Sequence, residues 1–537
     1  MRTISEQIFE TDVEINDSFE DTVYSNCTFK NNVFISNITS LRSFKFQECR
    51  INGSFFTVSI HNEVLFRELH LSFSNSQINT LHIGQNSIQE YNFLIDIDNT
   101  CITDCKICCC TCDNINISKS RISSLLLDSC MWKQLESSRI NIHESEINKL
   151  YVNRISYGKL NIISSKLVSL DIKDSAFVSE LNIISSTIQQ DTNIALIHSK
   201  IFYIKRTIFE SKVNCEYSSE HKKKSKGKIV IKDITIKEQA RFTAKHDVFF
   251  DSIDITVTPQ LLGEISFIGF QLQDSLTLRG FNKNADLRFI AVSAHTIIFL
   301  DYINWGTTSF LHLSSYLPDD KSYFACLGPT YMGNMIFDGS DLASFTNIQI
   351  LDSSLIGIKY TNLKWPSPER IVPYPTVDER YWIKKREIYR QLKYCAEDNK
   401  DRIQALTFKS YELDAYQRTL NWKENASDLL MLWLNKLSNN HGLSWIRGVM
   451  FTIISCLIFY FIFYLCQDDF MAKYFFWENI LKYFWLPNGI DDLISFFKSN
   501  PNIFTCIMGV ISYFLGKIFI AYGIFQTISA FRKYVKN

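Results

Sequence analysis

From Cys105 to Ser179 the chain repeats every five residues, with apolar or small side chains at places one and three and mostly polar ones between them. The run reads CKICC CTCDN INISK SRISS LLLDS CMWKQ LESSR INIHE SEINK LYVNR ISYGK LNIIS SKLVS LDIKD SAFVS, and only Ser137 breaks the third place. An amphipathic helix needs apolar residues three and four apart, and a hairpin sheet needs Gly, Asn or Asp turns after each strand, so neither fits. A period of five fits a solenoid in which each pentad is one side of a roughly square coil and four pentads close it. Places one and three then enter a narrow shaft, which is expected to hold Ile117, Ile122, Leu127, Ile142, Ile147, Ile162, Leu167 and Ile172.

The same period returns from Phe44 (FKFQE CRING SFFTV SIHNE VLFRE), from Ser76 and from Ile229, and IQILD SSLIG IKYTN LKW closes the region at Trp365, with looser repeats between 240 and 345. A solenoid over residues 1–365 with coils about 4.8 Å apart makes a rod on the order of 80 Å long. The insertion SSEHKKKSKGK, with its charge between Lys222 and Lys228, cannot fill a shaft and is expected to loop into solvent, with anionic lipid or nucleic acid as alternative contacts.

Pro366, Pro368, Pro373 and Pro375 then crowd one short stretch. Proline removes ladder donors, so the solenoid is expected to end at 365 with a linker over 366–378. Residues 379–444 turn to helical spacing: Ile388, Leu392 and Cys395, then Ile403, Leu406, Phe408, Leu413 and Tyr416, separated by the polar break EDNKD. This reads as a helical hairpin, after which DLLMLWLNKLS forms a third helix leading toward residues 445–537.

Between Arg447 and Asp468 lie twenty uncharged residues, enough to cross a bilayer core. Spans are expected near 448–467 and 504–528, joined by an aromatic loop with Trp477 and Trp485 that suits an interfacial or re-entrant element. Lys436 and Arg447 precede the first span, and Arg532, Lys533 and Lys536 follow the second, which places both termini in the cytosol.

Composition narrows the function. Fifty-six basic residues balance fifty-six acidic ones, so no nucleic-acid partner is expected, and 18 glycines with 9 prolines exclude a collagen-like chain. Fifteen cysteines without a visible secretory signal fit a reducing compartment. Six of them cluster at Cys101, Cys105, Cys108, Cys109, Cys110 and Cys112. Zinc needs converging ligands, whereas Cys105, Cys110 and Cys112 fall on inward places and Cys108 and Cys109 on outward ones, so packing is the expected role, with Cys101, Cys105, Cys108 and Cys109 as the metal alternative. GxxxxGK[ST], HExxH, GxSxG and a GxGxxG after a strand are all missing, so neither catalysis nor a cofactor is expected. Inside the second span, Lys517 is a costly intramembrane charge, and Gly509, Gly516 and Gly523 recur every seven residues as a small-residue stripe that permits close helix approach within or between chains.

The pentads resemble those of the pentapeptide-repeat family, whose fold is a right-handed β-helix. Together with EIYRQLKYCAEDNKDRIQALTFKSYELDAYQR from Glu387 and GKIFIAYGIFQTISAFRK from Gly516, the arrangement resembles bacterial membrane proteins that join such repeats to a helical linker and a channel-like two-helix C-terminus. That resemblance implies a multi-pass protein of the bacterial inner membrane. The chain lacks the TVGYG-type filter of potassium channels. Two functions follow: a β-helix platform, docking a protein or ligand, coupled to a homo-oligomeric pore-forming element in the lipid bilayer, or a membrane-anchored scaffold without conduction.

Overall fold

A computed structural model describes the chain except for residues 1, 17–19, 37, 39–40, 59–66, 85–90, 109–110, 130–137, 156–157, 219–226, 246–247, 318–320, 377–379, 467–476, 486–501 and 536–537. Cys109, Cys110, most of the basic insertion and most of the loop between the apolar helices lie outside the described residues. The chain divides into two units, residues 1–374 and 375–537.

The first unit is a parallel β-solenoid of about 14 turns. Each strand pairs only with the strands one coil before and after it, so one ladder runs through Ile95, Ile115, Ile140, Leu160, Leu181 and Phe202. All eight shaft residues expected from the pentads are buried, Ile162 completely. The coils are less uniform than the pentads suggest. Cys101 pairs with Arg121, twenty residues on, but Arg121 pairs with Glu146, twenty-five residues on, so one coil carries five extra residues.

The small first place has a specific use. Ser76, Thr100, Ser120, Ser145, Ser165 and Ser186 stack at one corner, and each hydroxyl accepts the backbone N–H of the stack residue one coil earlier: Thr100 N–H to Ser120 Oγ at 3.1 Å, Ser120 N–H to Ser145 Oγ at 3.1 Å and Ser145 N–H to Ser165 Oγ at 3.2 Å. The residue before each of them is left-handed, as at Asn99 (φ 45°), Lys119 (φ 46°) and Glu144 (φ 49°). That conformation costs a non-glycine residue roughly 1–2 kcal/mol. The cost is offset because the corner N–H reaches the next coil, as from Lys119 to the His143 carbonyl at 3.0 Å. Sharp corners therefore form without the glycines a hairpin demands.

Outside the pentad run the shaft is filled by aromatic columns, one ring per coil. Tyr24, Phe46 and Phe73 stack with centroids 5.0 and 5.2 Å apart. Phe242, Phe267, Phe289, Phe310 and Phe337 stack at 4.9 to 5.3 Å, close to the coil spacing. The first described strand of the solenoid is Arg2–Ser5, and the coils continue through 240–345. It also passes the expected end at 365: Ile371–Pro373 forms a last strand paired with residues 348–350. Pro373 is tolerated there because a terminal strand has a neighbour on one side only.

In the second unit, α1 (Tyr381–Asp398) and α2 (Arg402–Gln417) form the helical hairpin, followed by α3 (Ala426–Asn439), α4 (Trp445–Leu465), α5 (Trp477–Phe484) and α6 (Ile503–Val535). Asp401 caps α2 by accepting the Gln404 N–H at 3.1 Å. Ile388, Leu392, Cys395 and Phe408 are buried between the hairpin helices. Ile403, expected on that apolar face, is instead exposed in the first turn of α2. Cation–aromatic contacts reinforce the hairpin: the Arg386 guanidinium lies 4.0 Å from the Tyr416 ring centre, and that of Arg418 lies 4.2 Å from a Trp382 ring centre.

Candidate functional site

Helices α4 and α6 are each long and apolar enough to cross a membrane. At 1.5 Å per residue, α4 is about 31 Å long, close to the thickness of a bilayer core. Only a third of the most apolar stretch of each helix is buried. Ile454, Ile458 and Phe461 of α4 and Ile511, Ile518 and Phe525 of α6 point outward. A core helix of a soluble protein would bury such residues.

The two helices pack antiparallel. A side chain at Gly448 would meet Thr527, one at Gly523 would meet Thr452, and one at Gly516 would meet Phe459 and the Tyr483 hydroxyl of α5, each under 3.0 Å. Ser512 Oγ donates to the Phe459 carbonyl at 2.9 Å, and Trp445 stacks on Phe531 at the far end. Gly516 and Gly523 thus face α4 and α5 of their own chain, and Gly509 is buried. Lys517 donates to the Tyr483 and Trp485 carbonyls, both at 2.7 Å, and lies 5.4 Å from the ring centres of Tyr483 and Tyr513. Its ammonium therefore caps the C-terminal end of α5, where helix carbonyls lack intrahelical donors.

A polar joint connects this pair to the hairpin. Asp414 of α2 lies 3.0 Å from Lys436 Nζ and 3.2 Å from the buried His441 Nε2. Burial pushes the Asp414 carboxyl up, but hydrogen bonds and charge from His441 and Lys436 outweigh it and leave the group below the usual carboxylate range. Asn439 of α3 donates to the Gln526 backbone and side-chain oxygens on α6, while its own Oδ1 accepts the Gly442 N–H at 2.8 Å. Asn440, His441 and Gly442 are all left-handed, so the chain turns sharply before α4. Sequence reasoning passed over this joint; its signal is Gln526, a carboxamide in an apolar run.

The solenoid carries a shallow groove of about 530 Å³ across five successive coils. One wall is Arg50, Gln77, Cys101, Arg121 and Glu146; the other is Asn52, Asn79, Thr103, Ser123 and Asn148. Arg121 and Glu146 form an ion pair at 3.2 Å. Another outer row is a carboxamide ladder in which Asn141, Asn161 and Asn182 each donate to the preceding asparagine at 2.8 Å. Of the candidate metal cysteines, Cys101 is exposed in the groove wall, Cys105 is fully buried in the shaft with its thiol pushed well up by burial, and Cys108 is half-buried. Among the described residues no three His, Cys, Asp or Glu side chains gather as a metal ligand set.

No protein-family model, no curated protein and no solved structure matches the chain.

Proposed function

We propose that this protein is a membrane-anchored, non-enzymatic docking platform: α4 and α6 cross the bilayer as an antiparallel pair, and the solenoid presents polar faces, including the Arg50–Asn148 groove, to a protein or ligand. The observation that carries this reading is that the stripe and the charge of the second apolar helix have partners within one chain. Gly516 and Gly523 are packed on α4 and α5, and Lys517 is bonded to α5 carbonyls. A conducting homo-oligomer drew its support from those same residues.

Antiparallel crossing brings Trp445 and Phe531 to one end of the pair. With Arg447 ahead of the first crossing and Arg532 and Lys533 after the second, that end is assigned to the cytosolic face of a bacterial inner membrane. The solenoid and hairpin then lie in the cytosol.

The test is to reconstitute the full chain in liposomes and to measure its mass in detergent and its ion leakage. Monomers without leakage are expected, and Gly516→Leu should disrupt the helix pair, seen as new protease cleavage, without changing oligomer number. A defined oligomer that leaks ions, and that Gly516→Leu dissociates, would replace this reading with the pore.

A further inference from the structure

The third helix is built the wrong way round for water. Ser438 and Asn439 are its buried residues, while Leu430, Met431, Trp433 and Leu437 are 49%, 59%, 51% and 50% exposed. Leu430, Trp433 and Leu437 stand at i, i+3 and i+7 and so share one face. Asn435 and Asn439 share the opposite face, and Asn439 is bonded to Gln526 of α6. The fully buried residues of α3 are thus polar, Leu429, Leu432 and Leu434 are half-buried, and the face carrying Leu430, Trp433 and Leu437 is turned away from the protein.

The exposed face has neighbours of the same kind. Helix α3 packs on α4 and α6. Directly after the turn, Ile446 and Met450 of α4 are 57% and 50% exposed and begin the outward apolar surface that runs down α4. The three left-handed residues of the turn break the helix axis, so α3 does not extend α4, which is already long enough for the bilayer core. A helix at the mouth of a span, with Trp and Leu on its free face and Asn435 and Asn439 on the opposite one, matches the composition of segments lying in the headgroup region.

We infer that α3 lies in the plane of the cytosolic membrane surface, with Leu430, Trp433 and Leu437 sunk at the boundary between headgroups and acyl chains. The inference rests on α4 and α6 crossing the bilayer. The hairpin is thereby tied to the membrane surface through Asp414, which bonds Lys436 and His441, and the bilayer is what covers the apolar face.

The test places p-benzoylphenylalanine, a photo-crosslinker, singly at Leu430, Trp433 and Leu437 of the full chain in vesicles of phosphatidylcholine and phosphatidylglycerol. The probe at Asp428 samples the polar side, and the probe at Ile458 samples the outward surface of α4. Lipid adducts at the three α3 positions of the same order as at Ile458, with none at Asp428, are expected. Adducts at Ile458 with none at the three positions overturn the inference and leave the anchor standing. Adducts of doubled protein mass at those positions overturn it in favour of a contact between copies of this chain. Absence of lipid adducts at Ile458 removes the anchor itself, and the inference falls with it.

Discussion

A serine at the first pentad place looks, in sequence, like a small spacer. In the structure it closes the hydrogen bonding of a corner. Ser145 Oγ accepts the Ser120 N–H at 3.1 Å and donates to the His143 carbonyl at 2.8 Å, in a position with no route to water. Ser145→Ala would fit the space but leave the Ser120 N–H buried without its acceptor, a loss of roughly 1–3 kcal/mol. Because each coil touches only its neighbours, the loss should stay local. Amide hydrogen exchange should therefore show reduced protection at Ser120 and in the adjoining coils, with residues 265–311 unchanged. Unaltered exchange at Ser120 would mean that the hydroxyl ladder does not hold the corner.

The helices are joined by polar contacts as well as by apolar burial. Asp414 is the clearest case, since it ties α2 to the end of α3 and to the turn beyond it. Its carboxyl sits below the ordinary value in the folded chain. The stabilisation from its charge is then fully present above the unfolded value of about 3.9 and is lost as pH falls through the lower folded value. Asp414→Asn should lower stability by roughly 1.5–3 kcal/mol at neutral pH, the range for hydrogen bonds to a charged group. The gap between variant and wild type should close as the pH drops below about 4. Denaturant unfolding of the full chain in detergent, followed by tryptophan fluorescence, measures both. A gap that stays constant into acid would assign the effect to packing rather than to charge. Legibility differed between elements for physical reasons. Ile388, Leu392 and Phe408 announced the hairpin core by their spacing. Ile403 misled because it sits in the first turn of α2, directly after the loop joining the two helices, where it stays exposed, and the Asp414–His441 contact was invisible because it joins residues twenty-seven positions apart.

For the whole molecule, the pentads from Cys105 to Ser179 made the solenoid legible because a coil near twenty residues returns the same residue type to the same wall. That signal fades from 240 to 345, where coils lengthen: Ile253 pairs with Leu276, twenty-three residues on, and Ile297 with Phe324, twenty-seven residues on. There a ring stacked on each rung, not a fixed interval, keeps the shaft filled. The last strand at Ile371–Pro373 was hidden by its prolines, which the end of a ladder accepts and its middle does not. Gly516, Gly523 and Lys517 stood out in the sequence as small or charged residues of an apolar helix, but spacing along one helix does not say which neighbour it meets, and the structure packs them on α4 and α5 of the same chain. What unites these parts is the claim that the outward apolar surface of α4 and α6 is covered by lipid and holds the solenoid at a membrane. Extraction of membranes bearing the full chain with alkaline carbonate tests this most directly, because it strips proteins held by charge or by peripheral contacts and leaves those that cross the bilayer. The chain should remain entirely in the membrane pellet and be released only by detergent; its appearance in the carbonate supernatant, still soluble, would contradict the account.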